Sequence, residues 1–188
     1  MKQLGILGYP LSHSISPEFQ QAALDHHKIK AEFHRWEIKT DELNSFFETI
    51  QDANFVGASV TIPYKEQCLD LVDKVSDSAN LIGAINCIVN TNNQLVGHNT
   101  DGSGFIRALK TKHGFNPHGK KVLLIGAGGA AKAIAYSLVQ EKINQITIAN
   151  RTVARGDKLA ENLKSIVPKI NSIKLERQSL IEPLSDVD

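Results

Sequence analysis

Sulfur and extreme charge are what this chain has least of. It contains two cysteines, Cys68 and Cys87, among 188 residues. Their separation matches no metal-binding spacing, so a zinc knuckle or ribbon is excluded and no metal site is expected. Acidic and basic residues nearly cancel, 20 against 21, leaving a net charge of +1. No basic run interleaves with aromatics, which argues against a nucleic-acid partner. No apolar run approaches the roughly 20 residues of a membrane span, so no membrane partner is expected. The N-terminus, "MKQLGILGYPLSHS", reads as a strand and lacks the apolar core of an export signal. Reduced thiols in a cytoplasmic protein are the expectation.

What remains is ordinary globular composition, 41% hydrophobic, with an alternation of apolar strand-like and amphipathic helical runs. That alternation predicts an α/β architecture with a mainly parallel sheet. Strands are expected at 2–8, 32–38, 55–62, 84–90 and 94–99, with Asn92-Asn93 as a hairpin turn. Helices are expected over 17–28, opened by Ser16 as N-cap before Pro17, and over 41–51, capped by Thr40. Further helical pattern follows Tyr64 and runs from Thr100 to about Lys112. A Gly/Pro/Lys-rich stretch at 113–121 then suggests a boundary, giving units 1–112 and 113–188.

The second unit opens with "KVLLIGAGGAAKAIAYSLVQ", a strand, a glycine turn and a helix in succession. "GAGGAA" has the G-x-G-x-x-G/A form in the context that gives it meaning. Gly126 permits the tight turn and Gly128 lets a pyrophosphate approach the backbone. Ala131 allows close helix–strand packing, with Ala127, Gly129 and Ala130 completing the loop. A further strand over 145–151, a helix over 153–166 and a third strand at "SIKLE" complete an incomplete Rossmann-like unit. The strand over 145–151 ends in Asn150-Arg151-Thr152, with Arg155 following, where an NAD site usually presents a carboxylate. A guanidinium beside an amide and a hydroxyl suits a 2′-phosphate, so NADP(H) is favoured over NAD.

In the first unit, "SHSISP" sets Ser14 and Ser16 at a helix N-terminus, where free N–H groups and the dipole favour an anion. Thr61 and Lys65 in "VTIPYK", Asn86 in "GAIN" and Asp101 in "GHNTDGSGF" lie at or near strand ends. Open α/β sheets bind ligands beyond the carboxyl ends of their strands. Each residue alone has a structural reading: a solvated lysine, a turn asparagine, a helix-capping aspartate, a surface arginine at 151. Together they supply the groups expected around a polyhydroxylated acid.

Six motifs in order, "SHSISP", "VTIPYK", "GAIN", "GHNTDGSGF", "GAGGAAKAI" and "NRT", resemble those of the shikimate dehydrogenase family over essentially the whole chain. The resemblance implies an NADP-dependent oxidoreductase of aromatic amino acid biosynthesis, a monomer or homodimer, interconverting 3-dehydroshikimate and shikimate. It implies that Ser14 and Ser16 hold the substrate carboxylate. Thr61, Lys65, Asn86 and Asp101 would hold ring hydroxyls, with Lys65 and Asp101 as the catalytic pair. Asp77 matches an acidic position near the cofactor. Ser59 and Cys87 depart from the family's usual Asn and Thr. Relatives also continue into further strands and a C-terminal helix that supplies a glutamine, so a shortened chain is expected. Two alternatives stay open: a quinate/shikimate dehydrogenase using NAD as well, and a non-catalytic nucleotide-binding module.

Overall fold

A computed structural model describes residues 1–50 and 54–188. Contacts divide the chain into two compact units, Met1–Asn99 and Thr100–Asp188.

The first unit is a six-stranded sheet in the order β2-β1-β3-β5-β6-β4. Its strands are β1 (Lys2–Gly8), β2 (Ala31–Glu37), β3 (Phe55–Val60), β4 (Lys74–Val75), β5 (Cys87–Thr91) and β6 (Gln94–His98). β1 runs parallel to β2 and β3, and β4 parallel to β6, while β5 runs antiparallel to both neighbours. The β5–β6 hairpin turns at Asn92 and Asn93, with φ of 54° and 63°. Asparagine tolerates that left-handed pair, whose twist suits adjoining strands. One sheet face packs Leu7, Phe47, Ile85, Ile88 and Leu95 into a closed core.

Among the described residues, three helices serve this unit: α1 (Ser16–His26), α2 (Leu43–Thr49) and α3 (Asp77–Ile82). α1 begins one residue earlier than expected. Ile15 occupies the N-cap and Ser16 is helical. The Ser14 hydroxyl accepts from the Ser16 amide at 3.4 Å, so the cap expected of Ser16 is supplied from two residues upstream. Thr40 likewise does not cap α2. It opens a 3-10 turn, Thr40–Glu42, whose amide at Lys39 donates to the Glu42 carboxylate at 3.3 Å. Residue 51, the last of the helix expected there, lies outside the described residues. The helical pattern after Tyr64 is realised as a second 3-10 turn, Gln67–Asp70.

β2 is an edge strand, and its outer edge is occupied. The Gln21 side chain of α1 accepts from the Phe33 amide at 2.8 Å and donates to the Ala31 carbonyl at 3.3 Å. One primary amide thus takes the place of a peptide from a seventh strand.

The second unit is a three-stranded parallel sheet, β7 (Lys121–Ile125), β8 (Gln145–Asn150) and β9 (Lys169–Lys174). Its helices are α4 (Asp101–His113), α5 (Gly129–Gln140), α6 (Val153–Leu163) and α7 (Arg177–Ser185). Helix α4 belongs here, not with the first unit, so the boundary falls before it rather than after residue 112. The physical reason is Gly102. A Cβ there would run into the Ala133 carbonyl and Ser137 hydroxyl of α5, so the two helices meet backbone to backbone. α4 ends at Gly114 in the left-handed conformation, φ 60°. Ile146, Ile148 and Ala135 are fully buried at the centre of this unit.

Candidate functional site

Register gathers the first unit's candidates on one sheet edge. Leu7 of β1 pairs with Val60 of β3, Ser59 with Cys87, and Cys87 with His98. The carboxyl ends of β1, β3 and β6 therefore meet the start of β5. Thr61, Asn86 and Asn99 follow or precede these paired positions directly. From β1 to β6 is three strand spacings, roughly 14 Å, the scale of a small-molecule mouth.

Backbone bonds stitch this edge together. The Thr61 amide donates to the Leu7 carbonyl at 2.9 Å, and the Val60 amide to the Asn86 carbonyl at 2.7 Å. The Asn86 amide reaches the His98 carbonyl at 2.9 Å, and the Ile85 amide the Lys65 carbonyl at 2.7 Å. Asn99, buried, donates its side-chain amide to the Ala84 carbonyl at 2.9 Å. Lys65, Asn86 and Thr61 are all half-buried, so each keeps surface toward the edge while its backbone is fixed.

Ser14 and Ser16 stand where β1 hands over to α1. The Ser14 carbonyl accepts from the Arg35 guanidinium at 2.7 Å, and the same nitrogen lies 3.0 Å from Glu18. Arg35 is a residue the sequence reading misses. Its only signal is the alternation of "EFHRWEI", which turns it to the face that α1 covers. Gly8 is a second. A Cβ there would come within 2.5 Å of Thr61 Cγ2 and 2.9 Å of the Ile62 carbonyl, so only glycine lets β1 approach Thr61 this closely. Asp77, exposed, is the first residue of α3, which Ser76 caps by accepting from the Ala79 amide at 3.4 Å. Because β4 is parallel to β6, Asp77 belongs to the same carboxyl edge.

Asp101 is the first residue of α4, which belongs to the second unit. Thr100, not Asp101, is the N-cap position.

The glycine turn has the expected form. Gly126 adopts φ +110°, which disfavours any side chain, and its amide donates to the Ala149 carbonyl at 2.9 Å. Ala127 is buried. Gly128 caps α5 with extended backbone, and a Cβ there would touch nothing within 4 Å. Neither backbone strain nor packing requires glycine at 128; the space above it is open. Gly129 and Ala130 form the first turn of α5, whose free amides open on that space. Ile125 pairs with Ala149, so the next strand's end lies beside this turn. There Asn150 donates its side-chain amide to the Thr152 carbonyl at 2.7 Å. Thr152 sits at the N-cap of α6 without a side-chain capping bond, and Arg151 and Arg155 are exposed beside it. These groups fit a phosphorylated dinucleotide: amides for the pyrophosphate, guanidinium and hydroxyl groups for a 2′-phosphate.

Burial raises both thiols, that of Cys68 to about 12, and neither forms a disulfide. Among the described residues no three His, Cys, Asp or Glu side chains cluster as a metal site, and no helix is long and apolar enough to cross a membrane.

Fold and site define a two-unit α/β chain whose second unit is a Rossmann-like dinucleotide fold. Comparison with known proteins carries this further. Residues 6–88 match the shikimate dehydrogenase substrate binding domain, and residues 108–181 match the shikimate / quinate 5-dehydrogenase family. A shikimate dehydrogenase (NADP(+)) of Methanopyrus kandleri is 38% identical over 98% of this chain and 64% of its own length. One from Bacillus cereus is 35% identical over 100% of this chain and 67% of its own. The structure of shikimate 5-dehydrogenase from Listeria monocytogenes in complex with shikimate and NAD superposes with a TM-score of 0.86 at 31% identity, covering 100% of this chain and 66% of that one. The chain belongs to the shikimate dehydrogenase family. It spans about two thirds of the length of the relatives it matches.

Proposed function

We propose that this chain serves an NADP-dependent oxidoreductase that reversibly reduces 3-dehydroshikimate to shikimate, a cytoplasmic step toward aromatic amino acids. The observation that carries this reading is the gathering of Ser14, Thr61, Lys65 and Asn86 on one sheet edge, in a chain that also holds the open glycine turn. Bound NADPH supplies a hydride to the ring ketone. The chain's own residues do the rest. Ser14 and Ser16, at the positive end of α1, take the substrate carboxylate. Thr61, Asn86 and Asp101 orient the ring through its hydroxyls. The carbonyl oxygen gains negative charge as the bond order falls, and the Lys65 ammonium gives it a proton. In the oxidative direction Lys65 takes that proton back. Positioned proton transfer of this kind contributes roughly 10²–10⁴-fold. Asp101 orients Lys65 in this scheme, and Asp77 is assigned to the cofactor side. Arg151, Thr152 and Arg155 discriminate for the 2′-phosphate.

The test is oxidation of shikimate by the protein with NADP+, followed by reduced-nicotinamide absorbance, with NAD+ at equal concentration alongside. Turnover with NADP+ and little with NAD+ supports the reading. Nucleotide binding without shikimate turnover favours a non-catalytic module instead. A second reading, quinate as co-substrate with NAD, is favoured by the shikimate / quinate family match over residues 108–181. Quinate in the same assay decides it.

A further inference from the structure

Tyr64 of the "VTIPYK" motif has no role in the scheme above. Tyr64 is fully buried within the first unit's core, yet it carries a hydroxyl. That hydroxyl donates to the Ile38 carbonyl at 2.5 Å and lies 3.5 Å from Thr40 Oγ1. A buried tyrosine hydroxyl needs a partner, and this one finds it across the core, just past the end of β2. Ile38 is itself held, its amide donating to the Gly8 carbonyl at 3.3 Å. The tyrosine therefore braces the turn that follows β3 against the ends of β1 and β2.

The next residue is Lys65. Its neighbours have independent anchors: the Thr61 amide binds the Leu7 carbonyl, and the Asn86 amide binds the His98 carbonyl. The Lys65 backbone is tied through its carbonyl to the Ile85 amide at 2.7 Å. Directly before it in the chain stands Tyr64, whose amide donates to the Thr61 carbonyl at 3.0 Å and whose carbonyl accepts from the Cys68 amide at 2.9 Å. We infer that Tyr64 is a positioning residue: its hydroxyl fixes the backbone that carries Lys65, leaving Thr61 and Asn86 held by other bonds. This inference rests on the catalytic role proposed for Lys65.

Tyr64→Phe tests it, since the ring and its packing remain and only the brace is lost. Amide hydrogen exchange is measured residue by residue in both proteins. In Y64F the Ile85 amide exchanges faster by about tenfold, while the Thr61 and Asn86 amides change by less than about twofold. With shikimate and NADP+, kcat falls about fivefold and KM for shikimate stays within about twofold, the signature of a displaced proton donor rather than a lost binding contact. Unchanged exchange at Ile85 overturns the inference. So does an equal rise at all three amides, which would make Tyr64 a general core residue. Should Y64F not fold, the unaltered protein decides: a slowly exchanging Tyr64 hydroxyl proton close to Ile38 in NMR spectra supports the brace, and its absence overturns it. If Ile85 loosens in Y64F while Lys65→Ala leaves turnover intact, the brace stands and the function assigned to Lys65 falls.

Discussion

The two units build their sites by different means. In the second, strand β7, the glycine turn and helix α5 are contiguous in sequence, and the space proposed for the nucleotide lies above Gly128, where a side chain would meet nothing. In the first, the site is the meeting of four strand ends, held by hydrogen bonds between residues as distant as Leu7 and Thr61, or Ile38 and Tyr64. The nucleotide turn is thus a local device whose surface can change without touching the core. The proposed substrate edge is made of the bonds that hold its unit together. There, function and stability should move together.

Substitutions can break that contrast. The largest effect is expected from Lys65→Ala, which removes the proposed acid and lowers turnover by roughly 10²–10⁴-fold, with a smaller change in shikimate KM. Steady-state kinetics read it, and near-normal turnover would end the assignment. Arg151→Ala comes next. Losing a charged hydrogen bond of about 1.5–3 kcal/mol lowers the preference for NADP+ over NAD+ by about ten- to a hundredfold, read from paired affinities.

A matched pair of glycine variants tests the comparison directly. Gly128→Ala fills ligand space, so nucleotide affinity falls about tenfold while the thermal midpoint stays within about 2 °C. Gly8→Ala drives a methyl into Thr61 Cγ2 and the Ile62 carbonyl, so KM for shikimate rises together with a stability loss of about 1–3 kcal/mol. If Gly8→Ala weakened the substrate without cost to stability, the contrast between the units would be lost. The smallest effect concerns pH. Burial raises the Cys68 thiol to about 12, so the folded state prefers the neutral form. Its contribution is complete below the thiol's unfolded value of about 8.5 and is lost as pH climbs toward about 12. Both cysteines lie in the first unit, so alkaline loosening should show in its amides before those of residues 100–188. Cys68→Ala should flatten that response.

The same contrast explains what could be read without coordinates. The turn from Gly126 to Ala131 and the Asn92-Asn93 hairpin are legible because each is decided by neighbours along the chain. Ser14, Thr61, Lys65 and Asn86 were legible as strand-end groups, but their common edge depends on the register of β3, β5 and β6. The sequence does not mark β4, because two residues carry no periodicity. Nor does it mark α7, because Pro183 lies inside it and its apolar residues Ile181 and Leu184 stay exposed. At the start of α1 it is the Ser14 hydroxyl, not that of Ser16, that accepts from a first-turn amide. Arg35, Gly8 and Tyr64 act through partners far away in sequence, and no local pattern marks them.

The amide of Gln21 has a consequence for how this molecule behaves in a crowd. By satisfying the outward groups of Ala31 and Phe33, it denies passing chains a template on which to grow another ladder. Replacing it with leucine would uncover two adjacent rungs, and concentrated solutions of such a variant would begin to self-associate along that flank.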